Sequence, residues 1–287
     1  MRITIGLAQM YPKLGDTQYN LEAHLAQIEQ AQAQNVDLLV FPELSMTGYQ
    51  VQDLVPEVAL KTQADDPIFG KLMQASADYA LDLVVGFVHE DVRSRFYIAD
   101  AYLSGGEVLH VHHKLYLPTY TIFDESRYFA QGNSIRAFDT RFGRVGMLIC
   151  EDFWHVSPAY LLWMDGADLL ILNSSSPGRG LDAGDTLSMS RWVELVNQAY
   201  GSMFTNYIIH CNRVGYEDGK VFWGGSSIVD PNGEFMCRAP YFDEALLTQQ
   251  IDLNQLHRTR SRLPLLRDER PGLVRRELSR ILEENLR

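Results

Sequence analysis

The chain reads as an α/β protein with two sheets and helices outside them. Three observations predict this. Short apolar runs alternate with stretches of helical spacing along the whole length, the signature of strands and helices that follow one another. No low-complexity linker or short-period repeat divides the sequence. At 287 residues, with 46% apolar and 22% charged side chains, the chain has ordinary globular composition and can bury a large core. A single domain over residues 1–287 is expected, with 258–287 as a C-terminal arm.

The elements follow in order. Ile3–Ala8 alternates as a strand, and Tyr19–Gln34 places Leu21, Leu25 and Ile28 on one helical face. Asp37–Phe41 is an apolar strand, and Asp66–Ala80 is a helix with Pro67 in its first turn. Leu83–Glu90 and Phe96–Leu103 are strands, and Ser104-Gly105-Gly106-Glu107 turns into a strand over Val108–His112. The stretch from Leu115 to Asn133 is long for a simple connection, which points to function. Strand Val145–Ile149, helix Pro158–Met164, strand Leu169–Leu172, loop Asn173–Asp185 and helix Thr186–Tyr200 repeat the style. Phe204–Asn212 and Gly225–Val229 are strands, Asp230-Pro231-Asn232-Gly233 is a hairpin-type turn, and Ala245–Ile251 is a further strand.

Composition narrows the partners. The formal net charge of −12 disfavours a general nucleic-acid or anionic-membrane surface. From Arg258 to Arg287 there are nine Arg against five Asp plus Glu, yet no aromatic stacking pattern accompanies them. That segment reads as a solvated or partner-contacting arm. Three scattered cysteines offer neither a disulfide framework nor a CxxC metal site, so a reducing compartment is expected. The N-terminus lacks a signal-peptide core, and no stretch approaches the ~20 apolar residues that span a bilayer. A cytoplasmic protein is the expectation.

Four polar residues stand at strand ends or in the long loop. Cys150 closes the run Arg144-Val145-Gly146-Met147-Leu148-Ile149 and precedes Glu151-Asp152. A thiol there fits a buried small hydrophobe. It also fits a nucleophile on a strand-turn-helix elbow, its pKa lowered by unpaired amides, with the Glu151 backbone amide as oxyanion donor. Glu43 follows Leu38-Leu39-Val40-Phe41-Pro42. It fits a turn cap beside Ser45, Thr47 and Gly48, and equally a general base in a partly dry pocket. Lys114 follows His110, His112 and His113. Alternation puts His110 and His112 on one face and His113 on the other, a weak basis for a metal site. The lysine fits a snorkelling surface residue or a fixed charge for an oxyanion. Glu125, eleven residues beyond Lys114, reads alone as a solvated loop charge.

Together these segments resemble the carbon–nitrogen hydrolase (nitrilase) superfamily. Phe41-Pro42-Glu43-Leu44, His113-Lys114-Leu115-Tyr116-Leu117-Pro118 and Ile149-Cys150-Glu151-Asp152 are similar to its glutamate, lysine and cysteine motifs, in that order. Asn212-Arg213-Val214-Gly215 and the segment from Gly224 to Gly233 add to the match. Within the superfamily, Glu43 through Tyr49 with Asp53-Leu54, Leu117 through Tyr120 with Phe123-Asp124-Glu125, Arg127-Tyr128-Phe129, and Cys150 through Trp154 resemble the glutaminase domain of glutamine-dependent NAD synthetases. No Gly-rich phosphate motif is present, so a synthetase domain is not expected in this chain.

The resemblance implies a four-layer αββα sandwich, commonly paired into homodimers or larger homo-oligomers, and a use for the arm in those contacts. It implies Glu43 as general base, Lys114 and the Glu151 amide at the oxyanion, Glu125 positioning Lys114 or assisting proton transfer, and Cys150 as nucleophile. The implied reaction is amide hydrolysis through a thioester, without metal or organic cofactor. Around the cysteine, Tyr120 and Phe123 are expected to wall the substrate pocket. Ser176 and Arg179, in Ser174-Ser175-Ser176-Pro177-Gly178-Arg179-Gly180, resemble the stretch that holds glutamine; Arg179 fits either a bidentate carboxylate contact or a surface arginine. An amidase on a small amide leads. A glutaminase feeding ammonia to a separate synthetase partner, a nitrilase and a catalytically silent binding protein are the alternatives.

Overall fold

The computed structural model describes residues 1–178 and 188–285. Its first half contains β1 (Arg2–Gln9), α1 (Thr17–Ala33), β2 (Leu38–Val40), α2 (Val55–Val58), α3 (Phe69–Asp78), β3 (Asp82–Glu90), β4 (Phe96–Ser104) and β5 (Glu107–His113). The second half contains β6 (Phe138–Thr140), β7 (Gly143–Ile149), α4 (Val156–Met164), β8 (Leu169–Ser174), α5 (Ser188–Phe204) and β9 (Tyr207–Asn212). Then come β10 (Val214–Glu217), β11 (Lys220–Trp223), β12 (Ser227–Val229), β13 (Phe235–Arg238) and β14 (Ala245–Asp252), followed by α6 (Asn254–Arg262), α7 (Leu265–Asp268) and α8 (Pro271–Asn285).

Among the described residues the strands form two large sheets, ordered β14-β1-β2-β3-β4-β5 and β13-β12-β9-β8-β7-β6, and a β10–β11 ribbon. Both sheets are mixed, with parallel pairing at β1–β2–β3 and at β7–β8–β9. Period-2 alternation builds the layers. Ile3, Ile5 and Leu7 share a core with Val145, Met147, Leu169, Ile171, Tyr207 and Ile209, between the sheets. The alternate residues Leu148, Leu170, Leu172 and Ile208 pack outward on Leu162 and Trp163 of α4 and Val193, Tyr200 and Phe204 of α5. On the opposite side Leu83, Val85 and Phe87 pack on Leu21 and Ile28 of α1 and Phe69 and Leu72 of α3. The result is the helix–sheet–sheet–helix stack. Strands covered on both faces read as continuous apolar runs. A one-residue slip would exchange two full sets of side chains, each worth roughly 1.5–3 kcal/mol per residue, between cores of different shape.

Some boundaries differ from the sequence expectation. The helix expected from Asp66 begins at Phe69, because the Asp66 carboxylate accepts the amides of Ile68 and Phe69 and so caps the helix from outside. Phe204 ends α5 and does not open a strand; Thr205 at φ +51 breaks the chain and β9 starts at Tyr207. Gly224 and Gly225 take positive φ, so β12 starts at Ser227. The β10–β11 hairpin and the edge strands β6 and β13 lie in stretches the sequence reading left unassigned. Among its described residues the arm is largely helical, and α6, which leads into it, docks on the body. Leu256 enters the inter-sheet core, and Arg260 bonds Asp168 at 2.6 Å and Asn206 at 2.7 Å.

Candidate active site

Glu43, Lys114, Cys150 and Ser175 each directly follow a strand or the short step after it: β2, β5, β7 and β8. In open α/β sheets such C-terminal ends are where ligands bind. Alternation aims the lysine. His110, His112 and Lys114 share a parity, and His112 and Lys114 both reach groups from other segments of the chain.

The central contact is a buried Glu–Lys–Glu cluster. Lys114 Nζ donates to Glu43 Oε1 at 2.7 Å and to Glu125 Oε1 at 2.7 Å. Glu43 and Lys114 have no exposed surface. Glu43 Oε2 accepts the Ser175 amide at 2.6 Å, and the Ser175 hydroxyl donates to the Glu43 carbonyl at 2.9 Å. The turn at Glu43 presses against β3 at Gly86. A Cβ there would lie 2.3 Å from Pro42 O and 2.6 Å from Leu44 N, so only glycine permits this approach. Tyr49 donates its phenol to Glu125 at 2.5 Å.

Charges within the cluster set one another. Burial pulls the Lys114 ammonium down, but Glu125 and Glu43 outweigh it and hold it well above its usual range. Burial pushes the Glu125 carboxyl up to about 7, with Lys114 opposing. Burial keeps the Tyr49 phenol protonated, with Glu125 and Glu43 adding to the effect.

Cys150 is half-buried and opens a 3₁₀ turn, Cys150–Trp154, at φ +47. That backbone is the sharp elbow expected after β7. Its thiol pKa departs from expectation. Burial pushes it well above its ordinary value and Glu43 adds to this, while Lys114 pulls it back. Desolvation and three nearby carboxylates, those of Glu43, Glu125 and Glu151, outweigh the pull of the Lys114 ammonium. These effects favour the neutral thiol over the thiolate.

Asp152 ties the cysteine turn to the lysine strand. Its carboxylate accepts the amides of Leu115, Tyr116 and Ile149 at 2.9, 3.0 and 3.1 Å, and bonds His112 Nε2 at 2.9 Å. The Tyr200 phenol donates to the Phe153 carbonyl at 2.6 Å and holds the elbow from α5. The three histidines have separate partners: His110 stacks on Phe138, His112 meets Asp152, and His113 bonds His89 at 2.8 Å. Among the described residues no group of three His, Cys, Asp or Glu is arranged to hold a metal.

A cavity of about 320 Å³ opens on Cys150, lined by Tyr120, Phe123, Glu151, Trp154, Ser176 and Trp192 among others. The Tyr120 phenol donates to both Glu151 carboxylate oxygens at 2.9 Å. The Ser176 amide donates to Asn212 Oδ1 at 2.9 Å, and its hydroxyl accepts from Trp223 at 3.1 Å. Tyr120, Phe123 and Ser176 all line this cavity. Arg179 lies outside the described residues.

Sequence reasoning did not single out Tyr49, Asp152 or Ser175, which bond Glu125, His112 and Glu43. Tyr49 and Asp152 sit within the quoted strings around Glu43 and Cys150, yet nothing in their spacing showed which group each would meet. The arrangement has a thiol at an elbow, a buried carboxylate–ammonium pair and a small aromatic pocket. It is equipped for acyl transfer.

The carbon–nitrogen hydrolase family model matches residues 4–261. A curated glutamine-dependent NAD(+) synthetase of Thermotoga maritima is 34% identical over 259 residues, 88% of this chain and 43% of that protein. The structure of the glutamine-dependent NAD+ synthetase of Acinetobacter baumannii superposes with a TM-score of 0.76 at 30% identity, over 89% of this chain and 47% of that one. The chain therefore spans less than half the length of these relatives. A carbon–nitrogen hydrolase of Helicobacter pylori shares the fold over 97% of this chain and 99% of its own, with a TM-score of 0.84 at 22% identity.

Proposed function

This chain belongs to the carbon–nitrogen hydrolase family, and from that premise we propose that it is an amidase that cleaves a small amide through a Cys150 thioester. The observation that carries the reading is the buried Glu43–Lys114–Glu125 cluster beside a thiol set on a backbone elbow. Glu43 takes the thiol proton as Cys150 attacks the amide carbon. The carbonyl oxygen becomes an oxyanion held by the Lys114 ammonium and the Glu151 amide. Glu43 returns the proton to the departing nitrogen, and ammonia leaves. Water, deprotonated by Glu43, then attacks the thioester; the acid leaves and the thiol is restored. Glu125 fixes Lys114 throughout.

Pocket chemistry supports a small substrate. A cavity of about 320 Å³ suits a molecule of amino-acid size, and the Glu151 carboxylate beside it favours a cationic amino group on the substrate. Free glutamine satisfies both. A second reading is a glutaminase that passes ammonia to a synthetase, favoured by the 34% identity to a glutamine-dependent NAD(+) synthetase. Homo-oligomer formation through the arm belongs to the proposal as well.

Ammonia release from a panel of small amides, glutamine among them, tests the reading, together with intact mass of the quenched protein. Turnover with an acyl adduct on Cys150, lost in Cys150→Ala, is the expected result. Turnover that survives Cys150→Ala would end it. Stimulation of glutamine hydrolysis by an added ATP-dependent synthetase would select the second reading.

A further inference from the structure

Arg213 and Glu217 flank and close β10, outside the cavity on Cys150. Arg213 has no exposed surface. Its guanidinium bonds Glu217 Oε2 at 2.6 Å and lies 4.2 Å over the Phe222 ring. Glu217 Oε1 accepts two backbone amides from a distant segment, Tyr49 at 2.8 Å and Gln50 at 2.6 Å. Gly48, at φ +76, lets the two segments meet; a Cβ there would lie 2.8 Å from Glu217 Oε2 and 2.9 Å from Leu14 Cα. The Tyr49 ring packs edge-on to the same Phe222 at 6.1 Å. Tyr49 then bonds Glu125, which bonds Lys114.

We propose that the Arg213–Glu217 pair is a positioning latch for Glu125, holding the main chain at Tyr49 so that its phenol pins Glu125 against Lys114. The inference rests on the reading of Glu125 and Lys114 as working parts of the site. A buried ion pair is a poor source of net stability, since desolvation cancels much of the attraction. What this pair supplies is geometry. One carboxylate fixes two consecutive amides, and the planar guanidinium fixes the carboxylate by a hydrogen bond and a ring stack together. The phenol at the end of that segment has little freedom left, and Glu125 keeps one orientation towards the ammonium.

The test needs no substrate. Iodoacetamide alkylation of Cys150 is followed on its own peptide by mass spectrometry from pH 5 to 9, in wild type, Glu125→Gln, Tyr49→Phe, Glu217→Gln and the Tyr49→Phe/Glu217→Gln double variant, with Tm measured for each. Wild type shows an inflection from Glu125 that Glu125→Gln removes. Tyr49→Phe takes a donor from the Glu125 carboxylate and moves the inflection up in pH. Glu217→Gln moves it the same way, and the double variant matches Tyr49→Phe within about twofold in rate, because the two changes act through one contact. Arg213→Lys, which keeps the charge and loses the fork, gives the same direction and covers the case in which Glu217→Gln fails to fold. A profile that responds to Glu125→Gln and Tyr49→Phe but not to Glu217→Gln or Arg213→Lys overturns the latch alone. So does full additivity in the double variant. A profile indifferent to Glu125→Gln overturns the reading of the site, and the latch with it.

Discussion

Cys150 sits at φ +47, a conformation that costs a non-glycine residue about 1–3 kcal/mol and persists only where its surroundings enforce it. Asp152 and Tyr200 hold the turn through the Ile149 amide and the Phe153 carbonyl, bonds that do not involve the thiol. Cys150→Ala is therefore expected to abolish turnover while leaving Tm within about 2 °C of wild type, a difference calorimetry would resolve. Glu125 gives a pH signature. Its carboxyl rises from an ordinary 4.5 to about 7 by burial, so the folded state favours the neutral form. The stability this contributes is complete below about 4.5 and is lost as pH rises through about 7. Glu125→Gln should flatten that window in urea titrations at pH 5 and pH 8, and should lower kcat by about 10²-fold through misplacement of Lys114. Equal pH dependence in the variant and wild type would remove Glu125 as its source.

At the scale of elements, Asp152 joins the β5 end to the turn after β7 by four hydrogen bonds. Asp152→Ala leaves three amides without an acceptor, that of Ile149 buried and those of Leu115 and Tyr116 part-buried, and a loss of roughly 3–5 kcal/mol in denaturant stability is expected. Gly86→Ala forces a Cβ into the main chain at Glu43; a drop in kcat with folding retained would show that β3 sets the carboxylate. Here the limits of sequence reading are plain. Strand ends were legible because an apolar run that stops at a carboxylate, a lysine or a cysteine is a local pattern. Glu43, Lys114 and Cys150 were found that way. The partners Ser175 and Tyr49 were not, since each bond joins segments 76 to 132 residues apart. Nothing local encodes such distances. The start of β9 was misplaced for a similar reason. Phe204 looks like strand, but packing against Trp163 and Tyr200 makes it the end of a helix.

Over the whole molecule, two sheets with inner and outer faces of opposite parity bring the two halves of the chain together at the C-terminal ends of β2, β5, β7 and β8, and the candidate site spans both. The stacking was legible from alternating elements, and the register between sheets was not. The arm divides in two. α6 docks through Leu256 and Arg260, whereas Leu278, Ile281 and Leu282 of α8 are exposed. If the arm serves homo-oligomer contacts, Leu278→Glu/Leu282→Glu should reduce the assembly in sedimentation velocity without changing Cys150 alkylation; an unchanged sedimentation coefficient would discard that role.

The proposed hydrolysis turns on one covalent event. Wild-type protein mixed with a small amide substrate and acid-quenched within the first turnover should carry the acyl group on the Cys150 peptide, with ammonia released in equal amount before the acid appears. Acid and ammonia formed together with no adduct on Cys150, or an adduct carried by Cys237 instead, would contradict it.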